Sequence, residues 1–348
     1  MIKAGIIGCG SIARFRHAPE YAANGNARIA GFFDPVTERA RELADLYGGR
    51  VYGSAEELLA DGAVDAVSVC AHNAAHCGYT VDALAAGKHV LCEKPMAVTA
   101  DEARRMIRAR DRAGKILMVG HNQRLLQANK IAKELIDGGT LGRVLTVTGA
   151  FGHAGPEGWS RDGGAETWFF QKGKAGFGVT GDLGIHKFDL ARYLAGGEAA
   201  TVYADFRTAD KTYGDGSRIG VEDNAFVILG FDNGVAAQIH LSWTHYGGED
   251  NATRVCLTGG VVKLFGEPNR PLVVVKRDGE TRSYDAAGIQ TNGRQTASGV
   301  IDEFIDSVLT GRKPAVTGED GLAALEIAEA CARSAAEKRP IELKKVRG

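Results

Sequence analysis

Lys94, Asp182 and His186 are the residues of this chain whose types suit acid–base chemistry on an oxygen. Oxidising a hydroxyl requires a group that takes its proton, and histidine has the pKa for that work near neutrality. A carboxylate can orient the ring and support its charged form, while a lysine can hydrogen-bond the reacting oxygen and stabilise negative charge developing there. His186 is therefore the candidate base, with Asp182 as its support and Lys94 at the oxygen. Taken singly, each has a plainer reading: Asp182 as a helix cap, His186 as a surface histidine, Lys94 as a solvated loop lysine. If residues 182–194 are helical, spacings of four and three set Asp182, His186 and Asp189 on one face, with Leu183, Leu190 and Leu194 as the buried stripe. The expectation is an imidazole flanked by two carboxylates.

A second constellation lies at the N-terminus. Gly8-Cys9-Gly10-Ser11-Ile12-Ala13 fits the G-x-G-x-x-G/A fingerprint directly after an apolar strand and at the opening of a helix. Gly8 allows the tight turn, Gly10 lets backbone approach a diphosphate, Ala13 lets helix pack on strand, and the helix start supplies amides and positive dipole. Asp34 ends the next strand, where a carboxylate accepts hydrogen bonds from adenosine ribose hydroxyls and repels a 2′-phosphate. The cofactor expected is NAD, with Arg39 and Arg41 nearby leaving NADP open. Nicotinamide chemistry needs no metal, so the alternative use of Asp182, His186 and Asp189 as ligands of a divalent ion is set aside, and none is expected. The bare glycine pattern is weak evidence, because Gly176-Phe177-Gly178-Val179-Thr180-Gly181 fits it too without a strand–helix–strand context. That second run reads as a flexible approach to a helix.

The elements that must position these residues are legible as alternating patterns. Ile2 to Ile7, Ala27 to Phe33, Val64 to Cys70, His89 to Cys92 and Ile116 to Val119 are strand candidates separated by helical stretches, which implies a parallel, doubly wound sheet. Ser54 with Glu57 and Thr99 with Glu102 mark helix starts at the capping-box spacing. Lys94 then falls just beyond the carboxyl end of a strand, where ligands of open α/β sheets bind, and Pro95 biases it away from helical angles. After a helical stretch from Leu126 to Ile136 the pattern turns β-rich, with hairpin signals at Asp232-Asn233-Gly234 and Asp278-Gly279. Helical patterns at Val300 to Leu309 and Gly321 to Glu337 follow. The fold class expected is α/β: an N-terminal Rossmann domain over residues 1–122 and, over 123–348, an α+β domain with a large open, mostly antiparallel sheet.

Composition narrows the partners. Lys plus Arg number 42 and Asp plus Glu 43, and no long run of one sign occurs, so nothing calls for nucleic acid or an anionic membrane. The six cysteines (Cys9, Cys70, Cys77, Cys92, Cys256, Cys331) show no C-x-x-C spacing, consistent with reduced, mostly buried thiols and a cytoplasmic setting. Met1 runs straight into an apolar strand, so no signal peptide is expected. In the second half, His153, Trp159, Trp168, Lys172, Trp243 and His245 could shape a polyol pocket, since sugars stack on aromatic faces and hydrogen-bond around their rims. Each Trp or His could equally be packing.

These motifs together resemble the glucose-fructose oxidoreductase, inositol dehydrogenase and MocA-like family. The resemblance covers nearly the whole chain: Gly8, Gly10 and Ala13; Asn73 and His76; Ala86-Gly87-Lys88-His89-Val90 leading to Glu93-Lys94-Pro95; Gly120 to Arg124; and Asp182 with His186. It implies a Rossmann domain followed by an α/β domain whose open sheet mediates dimers or tetramers, with apolar strands such as Val235 to Trp243 available for that face. It also implies Lys94 and His186 at the nicotinamide with Asp182 supporting them, and cofactor contacts at Gly8, Gly10, Ser11, Ile12, Asp34, Asn73, His76, Glu93 and Lys94. Substrate contacts would fall on Lys94, Arg124, His153, Trp168, Asp182 and His186, although Arg124 has a surface salt bridge as its plainer role. The chain departs from the family at His72, where many relatives have proline, and at Leu125-Leu126-Gln127, where they have an aromatic and a proline-containing segment. The activity implied is reversible, NAD-linked oxidation of a secondary hydroxyl on a sugar, sugar derivative or inositol. Two other readings stand beside it: a non-catalytic NAD-binding regulator and an NAD-dependent glycosidase.

Overall fold

The computed structural model describes residues 1–286 and 297–343. Its first sheet contains β1 (Ile2–Ile7), β2 (Ala27–Phe33), β3 (Arg50–Val51), β4 (Ala66–Val69), β5 (His89–Cys92) and β6 (Leu117–Val119). All pairings are parallel and the order is β3-β2-β1-β4-β5-β6, the doubly wound arrangement expected from the sequence. Strand order reverses between β1 and β4, which opens a crevice beyond their carboxyl ends. β4 is buried at every position, as a strand covered by helices on both faces must be. The two-residue β3 carries no pattern of its own and exists through its pairing with Gly31 and Phe32.

The expected helix starts form, with one difference. Ser54 and Thr99 accept from the amides of Glu57 and Glu102, each at 3.2 Å. Their carboxylates, however, reach the amides of Gly53 and Val98, one residue before the cap. A fully reciprocal box forms at Thr317 and Asp320 instead.

The second sheet contains β7 (Val144–Gly152), β8 (Ala199–Arg207), β9 (Asn224–Phe231), β10 (Ala236–Ser242), β11 (Thr253–Leu257), β12 (Gly260–Glu267), β13 (Arg270–Lys276), β14 (Thr281–Tyr284) and β15 (Ile341–Glu342). The order is β14-β13-β12-β11-β7-β10-β9-β8-β15, antiparallel throughout except for β7 beside β10. Gly234 and Gly279 turn the expected hairpins with φ of 84° and 94°. One face of the sheet packs on the helices Ile185–Ala195 and Gly318–Glu337, while the outward residues Tyr203, Phe226 and Ile228 stay exposed.

Two late helices tie the halves together. Val300, Ile301, Phe304 and Ile305 of the helix Val300–Thr310 are buried in one core with Ala4, Ile6, Tyr21 and Phe32, so the chain returns to the first sheet after completing most of the second. Helix Gly318–Glu337 pairs Glu326 with Arg104 on the first half, and its Ser334 hydroxyl accepts from Ala204 N of β8 on the other. The crevice therefore has a fixed second wall. Among the described residues no helix is long and apolar enough to cross a membrane.

Candidate active site

The glycine loop is built as its residue types require. Gly8 turns the chain at φ 90°, and a Cβ there would lie 2.7 Å from the backbone of Cys70 and Ala71 at the end of β4. At Gly10 a Cβ would meet nothing within 4 Å, so this flank of the loop is open to a ligand. Arg14 N donates to Gly10 O at 3.1 Å, and Ser11 and Ile12 already head the helix that continues through Ala13–His17 and Ala18–Ala23. Helix-leading amides beside an open glycine flank are what a diphosphate needs. Asp34 is buried, its Oδ2 accepting from Cys9 N at 2.7 Å and its Oδ1 from Val36 N at 2.8 Å. Each oxygen keeps a further lone pair for a ribose hydroxyl.

The other expected cofactor residues are braces of the same crevice. His76 is bracketed by the carbonyls of Pro95 and Ala71 at 2.8 and 2.9 Å, and Asn73 donates to Ala175 O at 2.9 Å. His76 thus braces the turn after Lys94, and Asn73 ties the end of β4 to the segment before Gly176. Glu93 is buried, takes a 2.8 Å contact from His17 Nε2 and accepts from Lys94 N at 3.1 Å. Burial opposes its charge, but the hydrogen bond from His17 and the neighbouring charges of Arg16 and Lys94 outweigh that and hold its pKa at about 2. Gly120 is where it is because a Cβ would come within 3.0 Å of this carboxylate.

Across the crevice, Thr180–Gly184 winds as a π-helical turn before the regular helix Ile185–Ala195. That turn buries Asp182 and gives Lys94 two acceptors: Nζ donates to Asp182 Oδ1 at 2.9 Å and to its main-chain O at 3.0 Å. Trp243, fully buried, donates from Nε1 to Asp182 Oδ2 at 3.1 Å. His153 Nδ1 accepts from Gly155 N at 2.9 Å, so the neutral ring carries its proton on Nε2, which faces Asp182 Oδ2 at 3.7 Å, beyond hydrogen-bond range. Burial would raise the Asp182 pKa, but Lys94 and His153 hold it well below the usual carboxylate range. The carboxylate is ionised and an ammonium hydrogen of Lys94 remains for a third partner.

This arrangement corrects the expected flanking of His186. Asp182 clasps Lys94, and Asp189 turns away to Arg124. His186 lies instead against the rings of Phe151 and His121, with centroids 5.9 and 6.2 Å apart, and its Nδ1 has no hydrogen-bond partner. Burial first, then Lys94 and His121, push its pKa well below the ordinary histidine value, against the smaller opposing pull of Asp182. The ring is therefore a neutral imidazole at neutral pH, whereas the flanking picture had its pKa raised. A base that is already deprotonated is competent to accept a proton.

The remaining expectations separate by position. Arg124 donates from Nε and Nη2 to Asp189, both at 2.7 Å, and from Nη2 to Asp320 at 2.9 Å, with its guanidinium 5.2 Å from the Tyr193 ring. Those bonds engage Nε and Nη2 of the side chain expected to touch substrate. Trp168 stacks on Phe169 at 3.9 Å and stands 6.4 Å from His72, while Trp159 lies 6.3 Å from His153, so these rings gather on the His153 side. Trp243 supports the carboxylate rather than lining a rim, His245 is exposed, and Lys172 opens onto a separate cavity with Phe177, Phe206 and Glu222. The Gly176–Gly181 run is close-packed: a Cβ on Gly178 would strike Glu222 O, and Gly178 N donates to Glu222 Oε1 at 2.9 Å. All six cysteines are free. His17 and Arg161 were missed; both are joined to the site only by tertiary contact, with no local pattern to reveal them.

Residues 2–121 match the oxidoreductase family with an NAD-binding Rossmann fold, and residues 130–263 match the GFO/IDH/MocA C-terminal domain. The chain is 31% identical over 353 residues to the myo-inositol 2-dehydrogenase of Thermotoga maritima, covering 100% of each. The aldose-aldose oxidoreductase of Caulobacter crescentus, crystallised with glycerol, superposes with a TM-score of 0.84 at 30% identity over 98% of this chain and 99% of that one. GenD2 from gentamicin A biosynthesis, crystallised with NAD, superposes with a TM-score of 0.82 at 28% identity over 99% and 96%. With both domains matched and a full-length relative at this identity, the chain belongs to the GFO/IDH/MocA family of NAD-binding oxidoreductases.

Proposed function

We propose that the protein is an NAD-dependent dehydrogenase that moves a hydride to or from a secondary hydroxyl of a sugar, sugar derivative or cyclitol. The observation that carries this reading is the Lys94–Asp182 pair next to an imidazole kept neutral by burial. Bound NAD supplies the hydride acceptor or donor. Gly8, Gly10, Ser11 and Ile12 hold its diphosphate and Asp34 its ribose. Lys94, with two ammonium hydrogens on Asp182, directs the third at the reacting oxygen and stabilises charge that develops there. His186 takes the hydroxyl proton in oxidation and returns it in reduction. His153 Nε2 donates to a substrate hydroxyl, with Trp168 and Trp159 offering ring faces to the apolar side of a polyol.

The substrate class comes from the relatives: the Thermotoga protein is named for an inositol and the Caulobacter protein for aldoses. The exposed outer face of the second sheet, where Phe226 stacks on His240 with centroids 4.6 Å apart, supports assembly into a homodimer or homotetramer. Free cysteines support a cytoplasmic setting.

The test is a panel of inositols, aldoses, sugar acids and amino sugars with NAD, followed as nicotinamide absorbance. Formation of NADH with one of these classes is the expected result. NADH binding without transfer to any of them would overturn the reading in favour of a regulator, and sugar release without net NADH would favour a glycosidase.

A further inference from the structure

The segment 156–164 of the second domain reaches over the dinucleotide loop of the first. It opens with the short turn Pro156–Gly158 and is closed on itself by Ser160 N to Pro156 O at 2.8 Å and Gly164 N to Glu157 O at 2.9 Å. Its backbone and side chains then bond the loop directly. Ser11 Oγ accepts from Arg161 N at 2.9 Å and donates to Trp159 O at 3.3 Å, and the Arg161 guanidinium donates to Cys9 O at 3.1 Å and to Glu42 at 2.7 Å.

The next residue makes the contact of most consequence. Both terminal nitrogens of Arg39 donate to the two carboxylate oxygens of Asp162, a bidentate pair across the two domains. Arg39 lies in the first turn of the helix Thr37–Tyr47 that follows Asp34: its amide bonds Val36 O at 2.9 Å, and Val36 N in turn bonds Asp34 Oδ1. These bonds, with Arg161 beside Asp162 reaching Cys9 O, set Arg39 on the ribose side of the cofactor site. A guanidinium there is the group that receives a 2′-phosphate in NADP-binding folds.

We infer that Asp162 is a specificity-determining residue for the dinucleotide: by occupying Arg39 and adding a negative charge beside Asp34, it excludes the 2′-phosphate of NADP. The inference rests on the NAD reading above and adds a second-domain residue to it. Arg–phosphate and Arg–carboxylate recognition use the same bidentate fork, so one ligand must displace the other. The pair is accessible, with 20% of the Arg39 side chain and 45% of the Asp162 side chain exposed, so its removal leaves the core intact.

The test compares NADH and NADPH binding to the full-length, nucleotide-free protein by fluorescence titration. Asp162→Ala should tighten NADPH by about tenfold while NADH changes by less than about twofold. Arg39→Ala in that background should abolish the gain. Asp162→Asn, which keeps the shape and removes the charge, should move NADPH in the same direction. An unchanged NADPH-to-NADH ratio, or a gain that survives Arg39→Ala, would overturn the inference while leaving NAD use intact. Absence of NADH binding in the unmodified protein would overturn the cofactor reading and this inference with it.

Discussion

Asp182 and Asp189 lie one helical segment apart, both almost fully buried and both paired with a cation, yet they do different work. Asp189 faces a closed cluster: Arg124 clasps it with two nitrogens, Arg192 stands 3.8 Å away, and Asp320 and Glu198 complete the charges. Arg124 spends Nε and Nη2 within the cluster, while Arg192 Nη1 makes no hydrogen bond and stands between Asp189 and Asp320. Asp182 faces the crevice, and its cation is a lysine, whose three ammonium hydrogens exceed the two acceptors that Asp182 supplies. Burial and pairing are common to both carboxylates. What separates structure from chemistry is where the pair faces: Arg124 is enclosed among Asp189, Asp320 and Tyr193, whereas Lys94 holds its spare donor at the crevice.

If that contrast is right, deleting the closed pair damages stability and deleting the open one damages turnover. Asp189→Ala removes two of the three carboxylate bonds of Arg124 in a buried site, leaving Asp320, and should destabilise the fold by about 3 kcal/mol, measured by denaturant unfolding. Substrate turnover at a temperature where the variant is folded should stay within about threefold. Loss of turnover at unchanged stability would move Asp189 into the chemistry. Next in size, Lys94→Ala and His186→Ala should each lower turnover by about a hundredfold, equivalent to about 2.7 kcal/mol, while the NADH dissociation constant changes by less than about twofold. An equal loss in cofactor binding would make Lys94 a cofactor residue first. Asp182→Asn retains an acceptor for Trp243 and weakens only the hold on Lys94, so a loss of about tenfold in turnover is expected, checked by steady-state kinetics.

The sequence distinguished these regions only in part, for reasons that lie in the residues. The first sheet was readable because its strands are apolar runs between glycine turns and capped helices, and five of the six were identified from that pattern. The glycine loop was readable because its chemistry is local: turn, open flank and helix start all fall within six residues. Asp182 and Asp189 looked alike because a 3.6-residue period puts both on the face of His186. Two features outside that period separate them. The π turn at Thr180–Gly184 sets Asp182 toward Lys94, and Arg124 arrives from a distant part of the chain. His17, Trp243 and Asp162 are further cases in which tertiary contact assigns the role: they meet Glu93, Asp182 and Arg39 across long sequence separations. The return of helix Val300–Thr310 to the first core is equally non-local, since an amphipathic pattern does not name the surface it will cover.

The smallest effect is the most discriminating, because it separates the two charges nearest His186 by sign. Burial, Lys94 and His121 hold the imidazole neutral to a pH well below its ordinary value, with Asp182 pulling the other way. A base works when deprotonated, so oxidation should be insensitive to pH around neutrality and fall only on the acid side, as His186 gains its proton. Removing Lys94 takes away a cation that opposes that proton, so residual activity in Lys94→Ala should fall at a higher pH than in the unmodified enzyme. Asp182→Asn takes away an anion that favours the proton, so its acid limb should move to lower pH. The two limbs are read from kcat/KM against pH, and the imidazole itself from proton NMR of the unliganded protein. Movement of both variants in the same direction, or an unmodified enzyme whose limb sits at the ordinary histidine value, would place the base elsewhere.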